Sequence, residues 1–271
     1  MSDKDKYVEI SADRVAEAAR ALAESGVTPV KIDYIPVSDP YGEEINALIV
    51  HYSVRNLDTG TVDEDAILHL PHYAVTDLFY RLIGKAFAMI KKLRETDSPV
   101  KWIAVPCPDA LLWTTDAGER IREITQGDRA IRGVRVLFSG SALATPEAFR
   151  ALMSELGNEG IASVVGGFGE KDFPMLDLTE IAPDALIMTG LIDKLNDRNK
   201  AAGVRAVIDC GKAAGAEIIA TGVVNDAQVR ELRIADVFGI IPSEDYDGAF
   251  GFVKGRIGLA ELFGLGREDR S

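Results

Sequence analysis

The stretch AEIIATGVVNDAQ, residues 216–228, decides how the rest of the chain is read. Its first half is a short apolar run of strand length, and Thr221-Gly222 makes a turn. Asn225 then stands where a helix beginning at Asp226 needs a cap. A strand feeding through a tight turn into a helix is the repeating unit of an α/β protein. In barrels of that class the working groups sit at the carboxyl ends of the strands. Here those positions hold Thr221 and Val224. The stretch VVGGFGE, residues 164–170, repeats the pattern, with Gly166 and Gly167 at the strand end.

Working outward, further short apolar strands are expected at 31–37, 47–54, 101–105, 134–138, 161–165, 185–188, 217–220 and 237–241. Helical patterns separate most of them. Residues 75–93 carry Leu78, Leu82, Ala86 and Ile90 in register. Residues 146–156 carry Phe149, Leu152, Met153 and Leu156 on one face, with Thr145 as cap, Pro146 in the first turn and Gly157 as the stop. Residues 198–214 place Val204, Val207 and Ile208 together. Eight strands with interleaved helices predict a TIM-like (β/α)8 barrel. The first two strands are separated by a short gap containing Asp39, Pro40 and Gly42. That gap is too short for a helical crossover, so the first strand is expected to run antiparallel. The barrel is assigned to 12–250, with an N-terminal extension at 1–11 and a C-terminal extension and polar tail at 251–271. Within the tail, 258–265 reads as a short amphipathic helix that docks either on the domain or on a partner.

Composition narrows the function. The chain has 271 residues, 47% of them hydrophobic, and Lys+Arg 30 against Asp+Glu 43 gives a net charge of −13. This balance argues against general binding to nucleic-acid polymers or anionic membranes, while leaving room for a local basic patch. The beginning of the chain lacks the apolar core of a signal peptide and no run is long enough to span a bilayer, so a cytoplasmic location is expected. Cys107 and Cys210 lack metal-type spacing and read as buried free thiols.

The expected strand ends read Pro106, Phe138-Ser139, Gly166-Gly167, Met188-Thr189, Thr221 and Pro242. They hold no acid, histidine or lysine, which metal-assisted or acid–base chemistry would need. The nearest charges, Glu170, Lys171 and Asp172, fall in a loop. The glycines at 166, 167 and 169 read as a structural turn, because no P-loop lysine follows them. His51, His69 and His72 read as solvated or core-edge side chains. Asn46 alone would hold a divalent ion poorly. Trp102 and Trp113 read as barrel packing, and the acidic ends of the chain as solvated.

In these segments the chain resembles an EAL domain, the family of cyclic di-GMP phosphodiesterases, in a degenerate form. Tyr34-Ile35-Pro36 stands for the family's Tyr-Gln-Pro, and Asn46-Ala47-Leu48 for its Glu-Ala-Leu. The resemblance places the nucleotide-contacting arginine on Val50. It puts metal-binding positions on Pro106 and on Val136 or Leu137, and the aspartate pair on Gly166-Gly167 ahead of Phe168-Gly169. The catalytic lysine falls on Ile187. Two acids fall on Thr221 and Val224 around Gly222-Val223. Gln228 is retained, a late glutamine falls on Phe238, and Gly239 and Pro242 match. The resemblance therefore implies no catalytic, cofactor-binding or metal-binding residue and no cofactor. It implies a catalytically inactive regulatory module in bacterial signalling with a protein partner, a second copy of the chain being one candidate. The alternative is a cyclic di-GMP receptor that does not hydrolyse the nucleotide. Ranked last is an unrelated enzyme using Glu170, Lys171 and Asp172.

Overall fold

A parallel strand cannot follow its neighbour without a crossover, and the link at residues 39–44 is a tight loop instead. The Asp39 carboxylate organises it, accepting from the backbone N–H of Glu43 at 2.7 Å and of Glu44 at 3.0 Å, while Gly42 takes φ +73°. The computed structural model describes residues 30–56, 60–63, 72–175 and 178–263. Its strands are β1 (Val30–Ser38), β2 (Ile45–Asn56), β3 (Gly60–Asp63), β4 (Trp102–Pro106), β5 (Val134–Phe138), β6 (Ala162–Phe168), β7 (Ala185–Met188), β8 (Glu217–Val223) and β9 (Gly239–Pro242). Its helices are α1 (His72–Glu95), α2 (Ala117–Thr125), α3 (Pro146–Asn158), α4 (Leu178–Ile181), α5 (Arg198–Ala213), α6 (Asp226–Ile234) and α7 (Leu259–Leu262).

The sheet order β1-β9-β8-β7-β6-β5-β4-β2, closed by pairing of β1 with β2, makes an eight-stranded barrel. β1 is antiparallel to both neighbours, and the other barrel pairings are parallel. This is the expected (β/α)8-type architecture with its reversed first strand. β3 lies outside the ring, on the far part of β2. It and α2 were not foreseen. α2 is mostly polar, and only Ala117, Gly118, Ile121 and Thr125 mark its buried side.

Alternation along each strand separates two cores. Val37, Ala47, Ile49, Trp102, Ala104, Val164, Ala185, Ile187 and Ile219 fill the cylinder. Tyr34, Leu48, Val50, Val136, Phe138 and Phe168 belong to the outer core, under the helices. There Leu78, Leu82, Ala86 and Ile90 of α1 and Phe149, Leu152 and Leu156 of α3 are buried, as their spacing implies.

The amino-terminal end of the barrel is plugged by one polar–aromatic cluster. Trp102, 2% exposed, donates its indole N–H to Glu217 at 3.2 Å and stacks on Phe238 with ring centres 5.7 Å apart. Arg135 lies over the same indole and donates to Glu217 at 2.7 Å. Lys101 covers the other aromatic, 5.0 Å from the Phe238 ring centre.

Several local expectations are corrected. Thr145 makes no capping bond at α3; its hydroxyl turns back to the Ala142 carbonyl. The stop for α3 is Gly160, at φ +85°, rather than Gly157. Asn225 does cap α6, accepting from the Gln228 N–H at 3.0 Å. Cys107 is buried, but Cys210 faces solvent from α5, because the buried side of that helix runs through Val204 and Ile208. Trp113 is 66% exposed and packs no barrel wall. His69 lies outside the described residues, as do 264 and 265. Among the described residues no helix is long and apolar enough to cross a membrane.

After β9 the chain wraps the β9–β1 seam. Tyr246 donates to Asp226 at 2.5 Å, and Phe252 and Ile257 are buried. Ile257 and Tyr34 exchange backbone hydrogen bonds of 2.8 and 2.9 Å.

Two outcomes test these interior contacts. Trp102→Ala should lower stability by about 3–5 kcal/mol in urea unfolding, since it opens a cavity and removes one of the two donors to Glu217. Burial pushes the Tyr34 phenol up to about 12 from its ordinary value of 10.0. Stability linked to this group is present below pH 10 and is lost as pH rises towards 12, by about 2–3 kcal/mol. Tyr34→Phe should remove that part of the alkaline slope in pH-jump unfolding.

Candidate functional site

The carboxyl-terminal mouth is built by continuing the inward face of each strand one step beyond the filled core. That places Pro106, Gly166, Thr189 and Thr221 at the strand ends, with Leu137 and Ile187 just beneath. Val136 faces the outer core, so Leu137 is the inward member of that pair.

On β1 and β2 the inward face carries a surprise. Val37 opposes Ala47 and Ile35 opposes Ile49 inside the cylinder. The next pairs on that face are Asp33 with His51, then Lys31 with Ser53. His51 and Ser53 are buried, and Lys31 donates to Asp33 at 2.7 Å. The mouth is therefore not free of acid, histidine and lysine, as the parallel strand ends had suggested. The reason is register. Pairing runs unbroken from Val30 opposite Val54 to Val37 opposite Ala47, so Ala47, Ile49 and His51 share the inward face and Val50, between two of them, turns outward. Val50 is in the outer core. Asn46 lies at the amino-terminal end, its amide donating to the Phe238 carbonyl at 3.0 Å. Phe238 is part of the plug at that end.

Of the loop charges, Glu170 folds back to the mouth and accepts from the Thr189 hydroxyl at 2.5 Å. Lys171 and Asp172 stay exposed, so the three do not converge. The glycine segment is the expected turn: the Glu170 N–H donates to the Gly167 carbonyl at 3.0 Å, and Gly167 and Gly169 have φ +78° and +86°. On the β4 side, Asp109 accepts from the hydroxyls of Ser139 and Ser141, each at 3.2 Å. Burial, aided by the Asp109 charge, pushes the Cys107 thiol up. It stays protonated and is a poor nucleophile. Gln228 is fully buried. It accepts from the Val224 N–H at 2.8 Å and donates to the Ile192 carbonyl at 3.2 Å, so its role is to brace the loop after β8.

Among the described residues, no three His, Cys, Asp or Glu side chains stand close enough to hold a metal ion. Asp33, His51 and Glu170 thus do not form the oxygen-rich cage that a hard divalent ion requires.

The fold defines a closed, TIM-like α/β barrel with a reversed first strand. The family model "EAL domain" matches residues 17–240, and the chain belongs to that family. Solved structures agree on the fold. The EAL enzyme Bd1971, in its cAMP- and cyclic-di-GMP-bound form, superposes with a TM-score of 0.76 at 13% identity, covering 93% of this chain and 69% of that one. The PaMucR phosphodiesterase in complex with c-di-GMP gives 0.73 at 16% identity, covering 92% and 99%. An EAL-domain protein from Listeria monocytogenes EGD-e gives 0.70 at 14% identity, covering 95% and 98%. No curated protein matches the chain.

The glycines at the mouth are not equivalent. A Cβ on Gly166 would meet only the Phe138 carbonyl oxygen, at 3.6 Å, an ordinary contact. A Cβ on Gly169 would come within 2.4 Å of Leu191, at a backbone angle that L-residues avoid. Gly166→Ala should therefore leave the melting temperature unchanged or raise it, by up to about 1 kcal/mol in stability. Gly169→Ala should lower it by more than about 1 kcal/mol. Paired thermal melts check both.

Proposed function

We propose that this EAL domain is a catalytically inactive, cytoplasmic regulatory module that acts in bacterial signalling through a protein partner. On this reading it neither hydrolyses nor binds cyclic di-GMP. The observation that carries it is the inward face at the mouth. Pro106, Leu137, Gly166, Ile187 and Thr221 supply no carboxylate, and the acids that do reach the opening are taken up by Lys31, Thr189, Ser139 and Ser141. Water activation by a divalent ion needs several convergent oxygen ligands, and this set does not fit that requirement. The fold survives such losses because barrel stability resides in the packed layers and the amino-terminal face. An exposed Trp113, in the 3₁₀ turn that follows β4, supports a partner surface at the rim, since tryptophan is enriched where proteins meet.

A second reading, a receptor that binds cyclic di-GMP without cleaving it, draws support from Lys31. Its exposed ammonium group stands on the inward face of β1, where it could meet a dianion. Calorimetry and turnover assays separate the two. Incubation of the full chain with cyclic di-GMP and magnesium or manganese should yield no linear dinucleotide, and titration should give no heat at micromolar nucleotide. Binding without turnover, abolished by Lys31→Ala, would select the receptor. Turnover would overturn both. In native capture, Trp113→Ala should lose the partner that the wild-type chain retains.

A further inference from the structure

We infer that a notch on the outer wall, at the opposite end of the barrel from the mouth, is a binding site for a phosphate group. It lies where the carboxyl ends of α2 and α3 meet the 3₁₀ turn Arg129–Gly133, and it encloses about 230 Å³. Asp128, Arg129, Arg132, Glu159 and Gly160 line it.

The charge of this notch runs against that of the whole molecule. Arg129 and Arg132 line it against Asp128 and Glu159, and Lys91 and Arg122 reach those two carboxylates as well. The two lining carboxylates are already engaged. Asp128 takes Lys91 at 2.8 Å and caps the Ala130 N–H at 2.9 Å, while Glu159 takes Arg122. The lysine and the backbone hydrogen bond hold the Asp128 carboxyl below its ordinary range, so it stays ionised and paired. Arg129 and Arg132 are left over. Among the described residues neither guanidinium has an ion pair or a hydrogen bond, in a chain carrying −13 overall.

The obvious structural role for these arginines is to cap the two helix ends, and the backbone has already filled it. The Gly160 N–H satisfies the Gly157 carbonyl at 2.9 Å, and the Ile161 N–H satisfies that of Leu156 at 3.0 Å. The Asp128 N–H satisfies that of Thr125 at 3.0 Å. The Arg132 stem passes close over Gly160: a Cβ there would come within 3.0 Å of the Arg132 Cγ, so the bare glycine leaves room for it. Arg129 and Arg132 line the same notch, and two planar, permanently charged donor forks are suited to a tetrahedral oxyanion.

Titration calorimetry on the full chain, in chloride buffer of constant ionic strength, tests the site with inorganic phosphate and with glycerol phosphate. Both ligands should bind, and amide shifts in the protein spectrum should centre on Gly127 and Gly160. The double variant Arg129→Ala/Arg132→Ala should weaken binding by about tenfold or more, with its unliganded melting point unchanged because neither side chain is bonded. Arg132→Lys, which keeps the charge but not the fork, should fall between the two. Tighter binding of the ester points to a phosphorylated small molecule, and equal or tighter binding of the inorganic ion to free phosphate. Absence of heat with both ligands, or equal affinity in the double variant, overturns the proposal.

Discussion

Closure of the barrel at the β1 seam is the constraint on which the rest of the structure depends. A twisted sheet of eight strands leaves two unpaired edges unless its ends meet. Here the ends meet through a strand that runs the wrong way. β1 pairs with β2 along its whole length but touches β9 through the single pair Ser38 and Ile240. So thin a seam needs cover, and the segment after β9 provides it. Tyr246 is tied to Asp226, and Arg233 lies between the rings of Tyr41 and Phe250 while donating to the Pro40 carbonyl at 2.7 Å. Ile257 adds its backbone to the outer side of Tyr34. The hairpin loop, α6 and the chain after β9 thus form one clasp.

The two ends of the cylinder then divide the labour. At the amino-terminal end Trp102, Arg135, Glu217 and Phe238 pack face to face with every charge answered, which seals the interior. At the carboxyl-terminal end the strands finish in glycine, proline and threonine, and short loops tie the remaining carboxylates to neighbouring hydroxyls. A mouth of this kind keeps its shape while offering little to a metal ion. The turn residues there have evident structural work. Gly169 makes room for Leu191, and Gln228 satisfies two backbone groups in the interior. Their presence reports on the fold rather than on catalysis.

Much of the architecture was legible in the chain itself. Short apolar runs set the strands, periodic Leu and Ile set α1 and α3, and the brevity of residues 39–44 dictated a reversed first strand. The uncharged strand ends at Gly166-Gly167 and Thr221 could also be read directly, because a strand-to-helix turn announces where its carboxyl end lies. These features are local, and local sterics and hydrophobic periodicity decide them. What tertiary structure alone decided was register and company. The register of β1 against β2 turned Val50 outward and brought Asp33 and His51 to the mouth, while Asn46 stayed at the opposite end. No pattern along the chain marks that register, since it depends on which residue of a partner strand lies opposite. The same holds for Trp113, left outside by a turn, and for Arg129 and Arg132. Their lack of partners emerges only when two helix ends, far apart in sequence, come together with carbonyls already met by their own following N–H groups.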